Sequence, residues 1–169
     1  MSKKYPVIAI TGSSGSGTST VRESFQHIFT RDGIDADIIE GDAFHRYERH
    51  EMDKLIKKNR HNSEIDFSHF SPDANLLSDL AKTFHQFGKN GKYKTRHYVH
   101  TEEQAVIFKQ KTGSMTPWED ASSELLFYEG LHGGYVGPEV DVAKHVDLLV
   151  GVVPIINLEW IQKLHRDNR

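Results

Sequence analysis

A glycine-rich segment near the start of the chain has residue types that bind phosphate groups. Residues 12–19 read GSSGSGTS, which matches the P-loop pattern GxxxxGK[ST] except that Thr18 stands in place of the lysine. Glycines let successive backbone N–H groups point at phosphate oxygens, and the following helix directs its positive end at the same anion. Ser19 is placed to offer its hydroxyl to Mg²⁺. We therefore predict that nine residues bind a nucleotide: Gly12, Ser13, Ser14, Gly15, Ser16, Gly17, Thr18, Ser19 and Thr20.

The missing lysine weakens this motif. A P-loop lysine supplies a positive charge to the β- and γ-phosphates, so a basic residue further along the chain must replace it. The plainer interpretation is a glycine-serine turn that joins a strand to a helix.

Two acidic residues follow predicted strands and suit phosphoryl transfer. Residues 125–129 are an apolar run ending in Glu129, the pattern of a Walker B strand whose carboxylate lies near Mg²⁺. Asp42 ends another predicted strand at the same ligand-binding edge, where it can accept the proton of an attacking hydroxyl. Glu129 can also be read as a solvent-facing acid or turn cap, and Asp42 as the cap of the next helix.

Basic residues after Asp42 suit a second anion. His45 and Arg49 follow at i+3 and i+7, which places them on one helical face, with Arg46 and His50 close by. The alternative is that these histidines and arginines form a solvent-exposed face that binds no ligand.

The pair His97 and His100 has a usable metal spacing, but no third ligand follows at a recognisable interval, so we do not expect zinc.

Buried strands alternate with amphipathic helices along the chain. This pattern predicts an α/β fold: a three-layer sandwich of the P-loop NTPase type, with a mainly parallel sheet, in one domain over residues 1–169. The predicted strands are residues 6–10, 36–40, 125–129 and 146–153.

Four helices are expected between and after these strands. The first has an apolar stripe of Val21, Phe25, Ile28 and Phe29 and ends at Gly33. The others lie around Met52, from Ser71 to a closing glycine at 88, and over residues 154–165. Residues 89–116 are hard to place, with a possible strand at 95–99, and residues 116–119 read as a capping box.

Composition excludes several classes of protein. The chain has 169 residues and a net charge of −3, which argues against a general nucleic-acid binder. It has no cysteine, which excludes disulfides and thiolate metal sites. Its longest apolar stretch, residues 148–156, is far shorter than the ~20 residues that span a bilayer. We expect a cytoplasmic protein without membrane or nucleic-acid partners.

Four segments taken together resemble the bacterial type of phosphoribulokinase, within the phosphoribulokinase/uridine kinase family. They are residues 12–20, EGDAFHR at 40–46, LFYEGLHG at 126–133 and VPIINLEWIQK at 153–163. That family also has threonine at the position of Thr18. The resemblance implies that Mg²⁺ and ATP are used to phosphorylate the 1-hydroxyl of ribulose 5-phosphate, giving ribulose 1,5-bisphosphate.

The resemblance also implies roles for individual residues. Asp42 is the expected catalytic base, His45 and Arg49 the binders of the sugar phosphate, and Glu129 an acid near the metal. Lys163 and Arg166 match mobile basic residues that meet the phosphates, Lys163 supplying the charge missing at Thr18. Asp167 matches a further acid used in metal binding and catalysis.

Family members continue well beyond Arg169, so we expect a C-terminally truncated fragment. We also expect a homo-oligomer.

Two other functions stay open. One is a nucleoside kinase of the uridine kinase type, against which the lysine-free loop and the pair His45 and Arg49 weigh. The other is a non-catalytic nucleotide-binding module.

Overall fold

The computed structural model describes residues 4–13, 15–59, 67–153, 160–161 and 164–165. Its strands are β1 Val7–Gly12, β2 Ala36–Glu40, β3 Lys92–Thr95, β4 Glu119–Ser122, β5 Leu125–Glu129 and β6 Leu148–Val152. Its helices are α1 Thr18–Asp32, α2 Arg49–Asn59, α3 Leu77–Asn90 and α4 Glu102–Phe108. Short 3₁₀ turns occupy Gly41–Phe44, Pro72–Ala74 and Ala143–His145. Within these ranges, no helix has the length and apolar character needed to cross a bilayer.

The main sheet is parallel, with strand order β2-β5-β1-β6. In register, Glu129 of β5 lies beside Ile10 of β1 on one side and beside Glu40 of β2 on the other. The carboxyl ends of these strands therefore meet at one edge. Ligands of open α/β sheets bind at that edge.

Helices cover both faces of this sheet, which makes three layers. Alternate side chains of a strand point to opposite faces. Val7, Leu126 and Tyr128 pack in one buried cluster with residues of α3, whereas Ile10 and Phe127 pack in another with residues of α1. The predicted three-layer α/β fold is confirmed.

Most predicted elements of the sheet and its helices are present. Gly33 ends α1 in the left-handed conformation, as predicted, because its N–H can then bond the last carbonyl groups of the helix. The stripe of α3 is buried as expected: Leu77, Leu80, Phe84 and Phe87. The stripe of α1 is narrower than predicted, since Ile28 is exposed. The predicted helix at 154–165 lies mostly outside the described residues.

The predicted start and end of α3 are wrong. Ser71 and Pro72 begin a separate 3₁₀ turn, Pro72–Ala74, and not α3. The Ser71 hydroxyl accepts a hydrogen bond from the backbone N–H of Ser68. Helix α3 begins at Leu77, runs through position 88 and ends at Gly91, whose φ is 70°.

The chain between α3 and β5 contains structure that the sequence pattern did not predict. Strands β3 and β4 form an antiparallel ribbon, with Tyr93 buried between exposed Lys92 and Lys94. The possible strand at 95–99 is present only in part, since β3 ends at Thr95 and Tyr98 forms an isolated bridge with Met115. The capping box at 116–119 is wrong, because β4 and not a helix follows it. The hydroxyl of Thr116 accepts a hydrogen bond from the backbone N–H of His97 instead of capping a helix.

Candidate active site

The glycine-rich loop joins β1 to α1, and its backbone form depends on glycine. Gly15 and Gly17 have φ values of 89° and 99°, which other residues rarely adopt. A Cβ on Gly12 would overlap the Ser16 hydroxyl and lie 2.8 Å from the carbonyl oxygen of Val152. Helix α1 begins directly after Gly17. The N–H groups of Thr20 and Val21 bond the carbonyl oxygen of Gly17, whereas helix geometry gives those of Thr18 and Ser19 no acceptor inside the helix.

The threonine that replaces the P-loop lysine contacts the acid at the end of β5. Thr18 Oγ1 donates a hydrogen bond of 2.6 Å to Glu129 Oε1, and Ser19 Oγ lies 3.5 Å from the same oxygen. Arg22 Nη1 lies 2.7 Å from Glu40 Oε1 and 3.4 Å from Glu129 Oε2. Glu129 is therefore not a solvent-facing acid, because its carboxylate faces the loop and the first turn of α1.

Asp42 lies in the 3₁₀ turn that follows β2. A Cβ on Gly41 would lie 2.7 Å from the Tyr128 hydroxyl, so glycine lets the ends of β2 and β5 approach closely before the turn. The Asp42 carboxylate is about half exposed and lies between two imidazoles: Oδ1 is 3.3 Å from His45 Nε2, and Oδ2 is 3.4 Å from His100 Nε2. Asp42 caps no α-helix, and its carboxylate faces the cavity.

Histidines surround Asp42. Burial lowers the pKa of His45, the Asp42 carboxylate raises it in part, and the nearby His69, His100 and His132 lower it further. Burial also lowers the pKa of His132, whose Nε2 lies 3.2 Å from the carbonyl oxygen of Phe70. Because the pKa of each of these two imidazoles lies below its ordinary value, both resist protonation and both are neutral at pH 7.

Arg49 begins α2 and faces the same space. Its guanidinium lies 5.9 Å from the centre of the Tyr98 ring, and its backbone N–H donates to the carbonyl oxygen of Gly113. A cavity of about 550 Å³ joins these groups to the glycine-rich loop. Its lining includes Gly12, Thr18, Ser19, Asp42, His45, Arg49 and Glu129.

The structure thus brings together most of the residues predicted for the site. Five residues of the phosphate loop line one cavity with Asp42, His45, Arg49 and Glu129, namely Gly12, Ser13, Gly15, Thr18 and Ser19. The predicted loop residues Ser16, Gly17 and Thr20 are not among its lining residues. Four predicted residues lie outside the described part of the chain: Ser14, Lys163, Arg166 and Asp167. Their predicted roles remain predictions.

Several residues of the cavity were missed from the sequence. They are Asp53, His69, Tyr98, His100 and His132. His132 alone had a usable signal, since it follows a strand that ends in an acid and therefore lies at the ligand-binding edge. The others come from loops and from α2, and nothing in their spacing relates them to Asp42.

A larger groove, of about 760 Å³, lies between α3 and the β3–β4 ribbon. None of its lining residues belongs to the glycine-rich loop or to the carboxyl ends of the parallel strands. The smaller cavity is the candidate active site, because ligands of open α/β sheets bind at the carboxyl edge. Within the described residues, no three His, Asp or Glu side chains are grouped to hold a metal ion by themselves.

Comparison with known proteins identifies the family. A sequence model described as "Phosphoribulokinase / Uridine kinase family" matches residues 7–169. The chain belongs to this family. Its loop has Thr18 at the position of the P-loop lysine, which agrees with the family resemblance of the four sequence segments.

Relatives within the family are similar over nearly the whole chain. A phosphoribulokinase of Sinorhizobium medicae is 53% identical over 168 residues, which are 99% of this chain and 58% of the relative. A plasmid-encoded phosphoribulokinase of Cupriavidus necator is 50% identical, covering 100% of this chain and 59% of the relative. The chain thus spans less than two thirds of the length of these curated relatives.

Solved structures agree with the fold. The phosphoribulokinase from Rhodobacter spheroides has a TM-score of 0.85 and 47% identity, over 99% of this chain and 57% of that one. A possible uridine kinase from Bacillus stearothermophilus has a TM-score of 0.62 at 17% identity, which shows a shared fold alone.

Proposed function

We propose that this chain carries the site of a phosphoribulokinase: it transfers the γ-phosphate of ATP to the 1-hydroxyl of ribulose 5-phosphate, giving ribulose 1,5-bisphosphate and ADP. One observation carries the proposal. The glycine-rich loop and the carboxylate of Asp42 line the same cavity, with His45 and Arg49 beside them. Relatives about 50% identical bear the name phosphoribulokinase.

The loop is suited to the phosphates of ATP. Backbone N–H groups and the positive end of α1 attract the anion. The buried Ser16 hydroxyl has no hydrogen-bond partner within the described residues, and a phosphate oxygen is an acceptor that would satisfy it. The residue at the lysine position cannot supply positive charge, because it is Thr18 and its hydroxyl is bonded to Glu129.

We assign the missing charge to Lys163, on the resemblance stated above. Lys163→Met is expected to lower turnover strongly, because the loop has no lysine to compensate. An unchanged kcat in this variant would assign the charge to another basic residue. Arg166 and Asp167 are proposed to assist on the same ground, as a phosphate binder and a metal-binding acid.

Asp42 is proposed as the general base. As the 1-hydroxyl oxygen attacks phosphorus, its O–H bond breaks and Asp42 accepts the proton, while the bond from phosphorus to the β-phosphate oxygen breaks and ADP leaves. Contacts with His45 and His100 orient the carboxylate, one imidazole on each oxygen. Partial exposure leaves it accessible to a substrate hydroxyl.

Arg49 and His45 are proposed to bind the sugar phosphate. The guanidinium of Arg49 matches phosphate geometry. The neutral His45 has one N–H, on the nitrogen that faces Asp42, so its other ring nitrogen can accept a hydrogen bond from a sugar hydroxyl. This basic end of the cavity favours an anionic acceptor over an uncharged nucleoside.

Mg²⁺ fits the oxygen donors at the loop. Ser19 and Glu129 offer a hydroxyl and a carboxylate within 3.5 Å of each other, the hard ligands that Mg²⁺ prefers. When bound there, the ion would neutralise charge on the β- and γ-phosphates. Arg22 holds the other side of Glu129 and would keep one carboxylate oxygen turned away from the loop.

An ADP-release assay tests the proposal on the whole chain. ATP and Mg²⁺ are supplied with ribulose 5-phosphate, with uridine, or with no acceptor, and nucleotide affinity is measured separately by calorimetry. Stimulation by ribulose 5-phosphate is expected. Stimulation by uridine alone would indicate a nucleoside kinase, and nucleotide binding without acceptor-dependent turnover would indicate a non-catalytic module. Cytoplasmic location and a homo-oligomer stay predictions.

A further inference from the structure

Arg96 contacts the turn that carries Asp42, although it is not itself part of the cavity lining. It follows β3 directly. Its Nε donates to the carbonyl oxygen of Ala43 at 2.6 Å, and its Nη2 donates to that of His45 at 2.8 Å. One guanidinium therefore holds two carbonyl groups on either side of Phe44.

One face of this guanidinium packs against an aromatic ring. It lies 4.4 Å from the centre of the Trp118 ring, and that ring packs against the buried Phe44 at 5.6 Å between centres. Burial lowers the pKa of Arg96, while Asp79 and Glu48 raise it in part, and an arginine stays charged in either case. Its hydrogen bonds are thus charge-assisted.

We propose that Arg96 is a positioning residue: with Trp118 beneath it, it holds the 3₁₀ turn so that Asp42 and His45 keep their places in the cavity. The expected effect of Arg96 on turnover rests on the proposed function. It adds to the site a residue that touches neither nucleotide nor sugar.

The geometry of the guanidinium explains why arginine is needed. The carbonyl groups of Ala43 and His45 are two residues apart, and a planar fork reaches both at once from Nε and Nη2. An ammonium group is a point charge and cannot present this fork. A shift of about 1 Å in a catalytic group can cost roughly 10²-fold in rate, so holding the turn matters to catalysis.

Arg46 provides a matched control. It also donates to backbone carbonyl groups, those of Asp73 and Asn75, but it is exposed and bonds a different segment. Arg46→Met removes an arginine of similar contacts two residues beyond the turn. Its kcat is expected to stay within about twofold of the parent value.

The test compares Arg96→Met, Arg96→Lys and Arg46→Met in the full chain. Arg96→Met is expected to lower kcat by roughly 10- to 100-fold, with unchanged ATP affinity because the loop is untouched. Arg96→Lys should recover part of the loss. The histidine titration followed by NMR should show the pKa of His45 rising towards its ordinary value as the turn loosens.

Two results would overturn the inference. One is an Arg96→Met variant whose kcat and His45 titration equal those of the parent chain. The other is an Arg96→Lys variant whose kcat and His45 titration equal those of the parent chain. This second result overturns the inference even if Arg96→Met does not fold. Absence of turnover in the parent chain would refute the proposed function instead, and the His45 titration would still test Arg96.

Discussion

The two ends of the cavity are built in different ways. The proposed nucleotide end is formed by one stretch of chain, described at residues 12–13 and 15–20, whose backbone conformation depends on Gly12, Gly15 and Gly17. The proposed acceptor end collects side chains from separate parts of the chain: His45, Arg49, His69, Tyr98, His100 and His132. Local geometry produces the first, whereas packing of distant loops produces the second. Mutations should therefore separate the two ends cleanly.

Asp42→Asn is expected to have the largest effect. An amide cannot accept the proton of the attacking hydroxyl, so kcat should fall by roughly 10³-fold while ATP affinity stays nearly unchanged. Steady-state kinetics and nucleotide calorimetry measure the two quantities. Near-normal turnover would remove Asp42 from the role of base.

Gly12→Ala should damage the opposite end. Its new Cβ would meet Ser16 Oγ and the carbonyl oxygen of Val152, a crowding that costs about 1–3 kcal/mol. ATP affinity should weaken by roughly 10- to 100-fold. Gly151→Ala is the matched control, because nothing lies within 4 Å of a Cβ there. Equal affinity in the two variants would contradict the close approach at Gly12.

Arg49→Met should affect the acceptor end alone. Loss of a charged hydrogen-bond donor should raise the KM for ribulose 5-phosphate by about 10- to 100-fold, with the KM for ATP unchanged. Arg46→Met serves again as control, since Arg46 is exposed, does not line the cavity and bonds the carbonyl groups of Asp73 and Asn75. Equal changes in both KM values would mean that the two ends are not separate.

The smallest expected effect is on stability at acid pH. The pKa of His45 is lowered in the folded state, so the unfolded chain binds more protons and stability falls as pH drops below about 6.5. His45→Gln should remove part of this loss, on the order of 2–4 °C in Tm near pH 5. Thermal melts of both proteins from pH 5 to 8 measure it. Identical pH dependence would show that His45 is not the group responsible.

The same contrast explains what the sequence could predict. The loop, Glu129 and Asp42 were predictable because their signals are local: glycine spacing, and acids at the ends of apolar strands. Helix α1 and its cap at Gly33 follow from the same kind of signal. The parallel direction of the strands follows from the alternation of strands and helices, whereas the register between neighbouring strands does not.

The acceptor end was only half predictable. His45 and Arg49 share one segment with Asp42, but His100 reaches Asp42 from a loop far along the chain. The β3–β4 ribbon was missed because its strands have four residues each and a mixed pattern of exposure. No sequence signal predicts the contacts of Arg96 with the turn, since its partners are backbone carbonyl groups.

Backbone amide NMR of the full chain, titrated first with Mg²⁺ and ATP and then with ribulose 5-phosphate, tests the central claim most directly. The first titration should shift the amides of Gly15, Gly17, Thr18 and Ser19, and the second those around Asp42, His45 and His100. Shifts confined to the groove between α3 and the β3–β4 ribbon, with the loop amides unmoved, would contradict the account.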